Sequence, residues 1–201
     1  MDFRPQWSRT KDWFCGRYHH RDNMRMMLTL VPYDYDSAKL LNLQLKWEND
    51  PALKHLFNYF PNEEAAKAIV TAEELNNRWH QERKLPNVKR FVIEANGRII
   101  GEVSFSLGHQ CTDKNPKAAW IGIVIGESDA HAKGYGTLTM RKLEVEISAS
   151  GAERIDLGVF EFNEPARRLY EKLEYKTKTV IPDFTWWNGR MWSDRRMYKL
   201  L

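Results

Sequence analysis

The stretch from Trp120 to Thr137 constrains this chain more than any other. It opens with an apolar, β-branched run, Trp120-Ile-Gly-Ile-Val-Ile-Gly126, and closes on His131-Ala-Lys-Gly-Tyr-Gly-Thr137, after which a helical pattern begins. Ile121, Ile123, Val124 and Ile125 suit a buried strand. Gly134 and Gly136 carry no Cβ and allow the loop backbone to lie close against a ligand. A strand that feeds a glycine-rich turn into a helix N-terminus is a ready anion site. Several amides point one way there, and the helix dipole favours negative charge. A plain tight turn is the alternative reading of the same residues.

The P-loop pattern G-x-x-x-x-G-K-[ST] and the dinucleotide pattern G-x-G-x-x-G are both absent from this stretch. His131-Ala132-Lys133-Gly134-Tyr135-Gly136 instead resembles the Q/R-x-x-G-x-G/A loop of GNAT-type N-acetyltransferases, with His131 where the family usually has Gln or Arg. The resemblance implies that this loop holds the pyrophosphate of acetyl-coenzyme A. A second segment, Asn163-Glu-Pro-Ala-Arg-Arg-Leu-Tyr-Glu-Lys-Leu-Glu-Tyr175, is similar to the family's N-x-x-A-x-x-L-Y-x-K-x-G-F helix. Asn163 suits an N-cap and Pro165 a first turn. Ala166, Leu169, Tyr170 and Leu173 share one helical face. Glu174-Tyr175 replaces the family's Gly-Phe, so the helix end is expected to differ.

The C-terminus reads as a hairpin, Phe184 to Trp192, turning at Asn188-Gly189 and continued by Asp194 to Leu201. This ending, with Trp47-Glu-Asn-Asp-Pro51, resembles the branch that includes spermidine acetyltransferases and ribosomal-protein alanine acetyltransferases. The resemblance covers about residues 26–201. It implies an α/β fold with a splayed, mostly antiparallel mixed sheet flanked by helices. It also implies an acetyl-coenzyme A-dependent N-acetyltransferase acting on a primary amine. The acceptor is polyamine-like, aminoglycoside-like or a protein N-terminus. The rival reading is a non-catalytic module of the same shape that binds coenzyme A or a partner.

Acetyl transfer needs an in-line neutral amine, a donor to the thioester oxygen and a proton for the leaving thiolate. By resemblance, the cofactor-binding residues are Ile123, Val124 and Ile125 along the slot, His131, Ala132, Lys133, Gly134, Tyr135, Gly136 and Thr137 in the loop, and Asn163. Tyr170 is the candidate acid, or otherwise a core tyrosine. Its phenol pKa near 10 suits donation to a thiolate. Glu102 is the candidate base, with Glu127 and Asp129 as others. Each of the three also reads as an ion-paired or solvated carboxylate, and a water chain can serve instead. The loop from His55 to Glu64 is expected to shape the acceptor pocket. Plain helix-start chemistry at Asn62, Glu63 and Glu64 is the simpler reading.

With 201 residues, 42% hydrophobic and 29% charged, the chain suits one globular domain with a sizeable core. No apolar run approaches the roughly 18 residues of a membrane helix, and the N-terminus lacks a signal-peptide core. Cys15 and Cys111 are the only cysteines and make neither a disulfide framework nor a metal site. A cytoplasmic setting is expected, with no metal, no membrane and no nucleic-acid motif, and with a homodimer left open. The net charge of +4 is unevenly placed, with +3 over residues 1–25, +4 over residues 176–201 and −3 over the remainder. Residues 1–25 form an aromatic and basic extension, with Trp7, Trp13 and Phe14, whose His19-His20 pair has no third ligand nearby.

The expected elements are a strand over Met26–Leu30 and helices over Ser37–Trp47, Asn62–Ile69 and Thr71–Glu82. A hairpin of Phe91–Glu94 with Arg98–Leu107 follows, turning at Asn96-Gly97. Then come the Trp120 strand, a helix from Tyr135 to Ser148, a strand over Arg154–Phe160, the Asn163 helix and the final hairpin.

Overall fold

A computed structural model describes residues 27–56 and 58–201. The extension over residues 1–25, with Cys15 and the His19-His20 pair, lies outside the described residues, as does Phe57 of the acceptor loop. The described chain runs β1 (Leu28–Pro32), α1 (Ala38–Asn49), α2 (Glu63–Lys67), α3 (Ala72–Glu82), β2 (Val88–Ala95), β3 (Arg98–Leu107) and β4 (Ala118–Ile125). It continues with α4 (Tyr135–Ala149), β5 (Arg154–Phe160), α5 (Glu164–Lys172), β6 (Lys176–Trp187) and β7 (Arg190–Leu200). The strands make one sheet in the order β1-β2-β3-β4-β5-β7-β6. Every pairing is antiparallel except β4 with β5.

The local chemistry explains most element boundaries. Asn96-Gly97 and Asn188-Gly189 all take positive φ, between +48° and +86°, as a type I′ hairpin turn requires. The Thr71 side chain and Glu74 exchange the two bonds of a capping box at α3. Ser37, Asn62 and Asn163 cap α1, α2 and α5. Three expectations shift. The first strand begins at Leu28 and reaches Pro32, and α2 stops at Lys67 rather than Ile69. The last hairpin begins at Lys176, eight residues before Phe184. Its Pro182 falls on β6, the edge strand, where a missing amide costs no ladder bond, and the register slips between Ile181 and Thr185.

The sheet separates two apolar layers. Phe91, Ile93, Val103, Phe105 and Ile121 face α4, meeting Met140, Leu143 and Ile147. Val92 faces the other way and packs with Leu40 of α1 and Leu75 and Trp79 of α3. Burial of these side chains contributes about 25 cal/mol per Å² of apolar surface.

One feature of the sheet opens the site. β4 and β5 run parallel but pair only at Ala118–Arg154, Ala119–Ile155 and Trp120–Asp156. Beyond Trp120 they diverge, and the sheet splits between Ile121–Ile125 and Leu157–Phe160.

Candidate active site

The split forms a cavity of about 500 Å³ walled by β4, β5, the loop before α4 and the α5 face. Every residue assigned to the cofactor by sequence lines it except Lys133, whose side chain is exposed. Leu56, from the α1 side of the sheet, lines it as well, so the opening passes through the sheet.

Backbone direction along β4 decides which groups face the split. The amide of Gly126 bonds the carbonyl of Ile100 on β3, 2.8 Å away. Direction alternates along a strand. Gly122 and Val124 therefore turn their peptide groups to β3, while Ile121, Ile123 and Ile125 turn theirs into the gap. Val124 lines the cavity but does not offer its amide to it. The carbonyl of Ile125 accepts a bond from Nε2 of His131 at 2.8 Å.

The loop that follows is held open. Ala132 sits at φ +57° and Gly134 at +83°. Only glycine adopts this region freely, and such strain concentrates at ligand sites. Among the described residues, the amides of residues 132 to 137 have no acceptor; the next bonded amide is Leu138, to Gly134 at 3.2 Å. α4 has neither a side-chain cap nor an acidic residue in its first turn. Six open amides at a helix N-terminus make a cradle for an anion. A Cβ on Gly136 would lie 3.1 Å from Leu169 Cδ2, so this glycine also lets α5 approach α4 closely.

Tyr170 lines the same cavity from α5. Its side chain is buried, and burial alone pushes its phenol above the ordinary value. It stays protonated at working pH, as a donor must. Asn163 accepts from the amide of Ala166 at 3.3 Å, which sets the start of α5 beside the loop.

Glu102 lies elsewhere. It is buried on β3, where Oε1 accepts from Arg90 at 2.6 Å, and it lines none of the three described cavities. Burial pushes its pKa up more strongly than Arg90 pulls it down. Glu127 accepts from Lys46 and from Trp47 Nε1, and Asp129 is paired with Arg98. All three candidate bases are thus ion-paired.

Sequence reasoning missed Gly158 at this site and its neighbour Asp194. Gly158 of β5 lines the cavity, and a Cβ on it would meet Asp194 Oδ1 at 2.9 Å and Trp120 at 3.2 Å. A glycine inside a strand signals such a close approach. Asp194 is buried there beside Arg196, with Oδ1 lacking a partner among the described residues, and burial raises its pKa. Nothing in its local sequence separates it from a surface aspartate.

The site is thus a mixed sheet split between two parallel strands, with an amide cradle at the mouth of the split. Residues 43–175 match the Acetyltransferase (GNAT) family, and the chain belongs to that family. An acetyltransferase of Pectobacterium atrosepticum is 33% identical over 91 residues. An uncharacterized N-acetyltransferase of Yersinia pestis is 30% identical over the same length. Each match spans 45% of this chain and 59% of the relative. Among solved structures, the spermidine N-acetyltransferase of Vibrio cholerae, in complex with CoA and spermine, superposes with a TM-score of 0.69 at 22% identity. That superposition covers 86% of this chain and 95% of the other. The yncA protein of Salmonella typhimurium, with its cofactor acetyl-CoA, gives 0.65 at 17% identity over 87% and 94%. These likenesses establish the fold.

Proposed function

We propose that this chain is an acetyl-coenzyme A-dependent N-acetyltransferase that acetylates a primary amine. The observation that carries the reading is the join of two features: six open amides, residues 132–137, lie at the mouth of a split that Tyr170 lines. The cradle would hold the pyrophosphate, and the split admits a narrow arm as far as the α1 side of the sheet.

The thioester supplies the acyl group. The amide N–H of Ile123 or Ile125, turned into the gap, donates to the carbonyl oxygen as charge gathers there. The amine nitrogen bonds to the carbonyl carbon as the carbon–sulfur bond breaks. Tyr170 donates its proton to the departing sulfur and recovers one from solvent. The proton lost by the amine passes to water in the cavity. Glu102 has a different role in this reading: its carboxylate anchors Arg90 and does not meet the substrate.

The reaction is placed in the cytoplasm, where the donor is available. Among the described residues no helix is long and apolar enough to cross a membrane. The catalytic unit is taken to begin near residue 26, with residues 1–25 dispensable for cofactor binding. The test is thiol release from acetyl-coenzyme A with an amine panel, beside calorimetric binding. Release that depends on amine and enzyme supports the reading. Binding without release to any amine favours the non-catalytic module, and absence of binding refutes both.

A further inference from the structure

The proposed function leaves the route of the amine open. Gly122 marks one. It lies in the middle of a central strand, yet it is exposed. It lines the split on one side and, on the other, a groove of about 890 Å³ between α3 and the β3–β4 pair. The groove runs from Trp120 past Ser104 to Asn77 and Arg78. Asn77 and Arg78 also line a second hollow of about 540 Å³ that reaches Tyr59. The two hollows adjoin and together make a trough on the α1 side of the sheet.

The polar lining of the trough indicates what fits it. Its carboxylates are already engaged. Glu82 pairs with Arg90 and accepts from Tyr35. Glu48, 1% exposed, accepts from Gln44 and Arg78. Glu74 closes the capping box of α3. Of these three, Glu74 alone has no cation partner among the described residues, one charge against the several of a polycation. The open groups are donors and amides. Arg78 is half exposed, lines both hollows and is fixed to buried Glu48 by one Nη2–Oε2 bond of 2.6 Å. His109 accepts the Cys111 amide at Nδ1, so in its neutral form Nε2 carries the proton and is a donor. Burial and nearby Arg196 both lower its pKa and keep it neutral. Gln81 and Gln110 add carboxamides, which can donate to and accept from a peptide backbone at once, while Asn87 already donates to the Leu107 carbonyl at 2.6 Å.

We infer that the acceptor lies in this trough and presents its amine over Gly122. We further infer that it is a peptide-like segment with a free α-amine and carbonyl oxygens for Arg78 and His109, not a polyamine. The inference rests on the transferase reading above, and the experiment separates the two. Acetyl-coenzyme A is titrated into the protein, and thiol release is then followed with short synthetic peptides lacking lysine, with spermidine and with an aminoglycoside. The expected result is turnover of peptides at a kcat/KM at least about tenfold above the other two, the worth of one hydrogen bond to a charged group.

Two variants locate the route. A Cβ at residue 122 would lie 3.7 Å from Ser104 Oγ, an ordinary contact, so Gly122→Val should fold. Residue 122 also borders the split, so the effect is read as a ratio: kcat/KM for peptide should fall at least about tenfold more than acetyl-coenzyme A affinity does. Arg78→Lys keeps the charge beside Glu48 but loses the planar fork. It should raise KM for peptide and leave kcat close to wild type. Failure of acetyl-coenzyme A to bind refutes the transferase reading and this one together. Binding with turnover of spermidine or aminoglycoside in preference to peptide overturns the trough alone, whereas binding with turnover of no amine refutes the transferase reading and the trough with it. A Gly122→Val enzyme whose kcat/KM for peptide falls no more than its acetyl-coenzyme A affinity also overturns the trough alone.

Discussion

Nε2–H of His131 donates to the carbonyl of Ile125 at 2.8 Å and ties the glycine loop back to the strand that feeds it. The bond fixes where the amides of residues 132–137 point. Without it, Ala132 loses part of the frame that holds its φ of +57°. His131→Ala should weaken acetyl-coenzyme A binding about tenfold, the worth of one well-placed hydrogen bond. His131→Gln, whose amide still donates, should recover most of that. Calorimetric titration reads both. An unaltered affinity in the alanine variant would show that the loop stands without the ring.

Tyr170 faces the split with a hydroxyl that burial keeps protonated. Losing it should cost the transition state and not the bound cofactor. Tyr170→Phe should lower kcat about a hundredfold, as typical for a general acid, with cofactor affinity within a few fold. Wild-type kcat would leave Tyr170 as a core residue only.

Glu102 gives a pH prediction. Burial raises its folded pKa above the ordinary carboxyl value, outweighing the pull of Arg90. The folded state then binds the proton more tightly than the unfolded state. The contribution of Glu102 to stability is therefore highest in acid and falls as pH rises from about 4.3 through the raised folded value. Glu102→Gln, an uncharged isostere, should melt near the wild type in acid and above it at neutral pH, with kcat unchanged. A variant that melts lower at neutral pH than in acid, relative to wild type, contradicts the sign. A large loss of kcat would return Glu102 to the catalytic site.

At the end of α5, Glu174 stands at φ +69°. Its amide bonds the carbonyl of Glu171, and that of Tyr175 bonds the carbonyl of Tyr170, each at 3.0 Å. This is the glycine-type helix stop, closed by the rings of Tyr170 and Tyr175 at 5.7 Å. A glutamate in that region is strained by about 1 kcal/mol. Glu174→Gly should raise the melting temperature by about 2–4 °C, as expected for about 1 kcal/mol in a domain of this size. A melting temperature that falls would mean that the exposed Glu174 side chain contributes more than its backbone costs.

Those elements that carry their own local chemistry were readable from sequence. Asn-Gly turns, the Thr71–Glu74 box and the Arg154–Phe160 strand all fell where the residues placed them. The split and the open loop at its mouth were readable because a strand, a glycine loop and a helix start are consecutive in the chain. What was not readable depends on distant residues meeting. The Glu102–Arg90 pair joins β3 to β2, and Asp194 reaches Gly158 only after β7 inserts between β5 and β6. The exposure of Gly122 beside the groove depends on where α3 lies across the sheet, which no local pattern encodes. The early start of β6 was hidden by Pro182 and Asp183, which read as a loop until the strand is known to lie at an edge.

In the proposed reaction the amides of residues 132–137 hold an anionic cofactor at the mouth of the split. Calorimetric titration of acetyl-coenzyme A into wild type, Gly136→Ala and Gly136→Asp tests it most directly. A Cβ on residue 136 presses only on the methyl end of Leu169, at 3.1 Å, which can yield by a few tenths of an ångström. Both variants should therefore fold. The alanine variant should bind close to wild type. The aspartate sets a negative charge against the pyrophosphate, and affinity should fall about a hundredfold or more, a loss of roughly 2.7 kcal/mol. A folded Gly136→Asp protein that binds acetyl-coenzyme A as tightly as wild type would contradict the account.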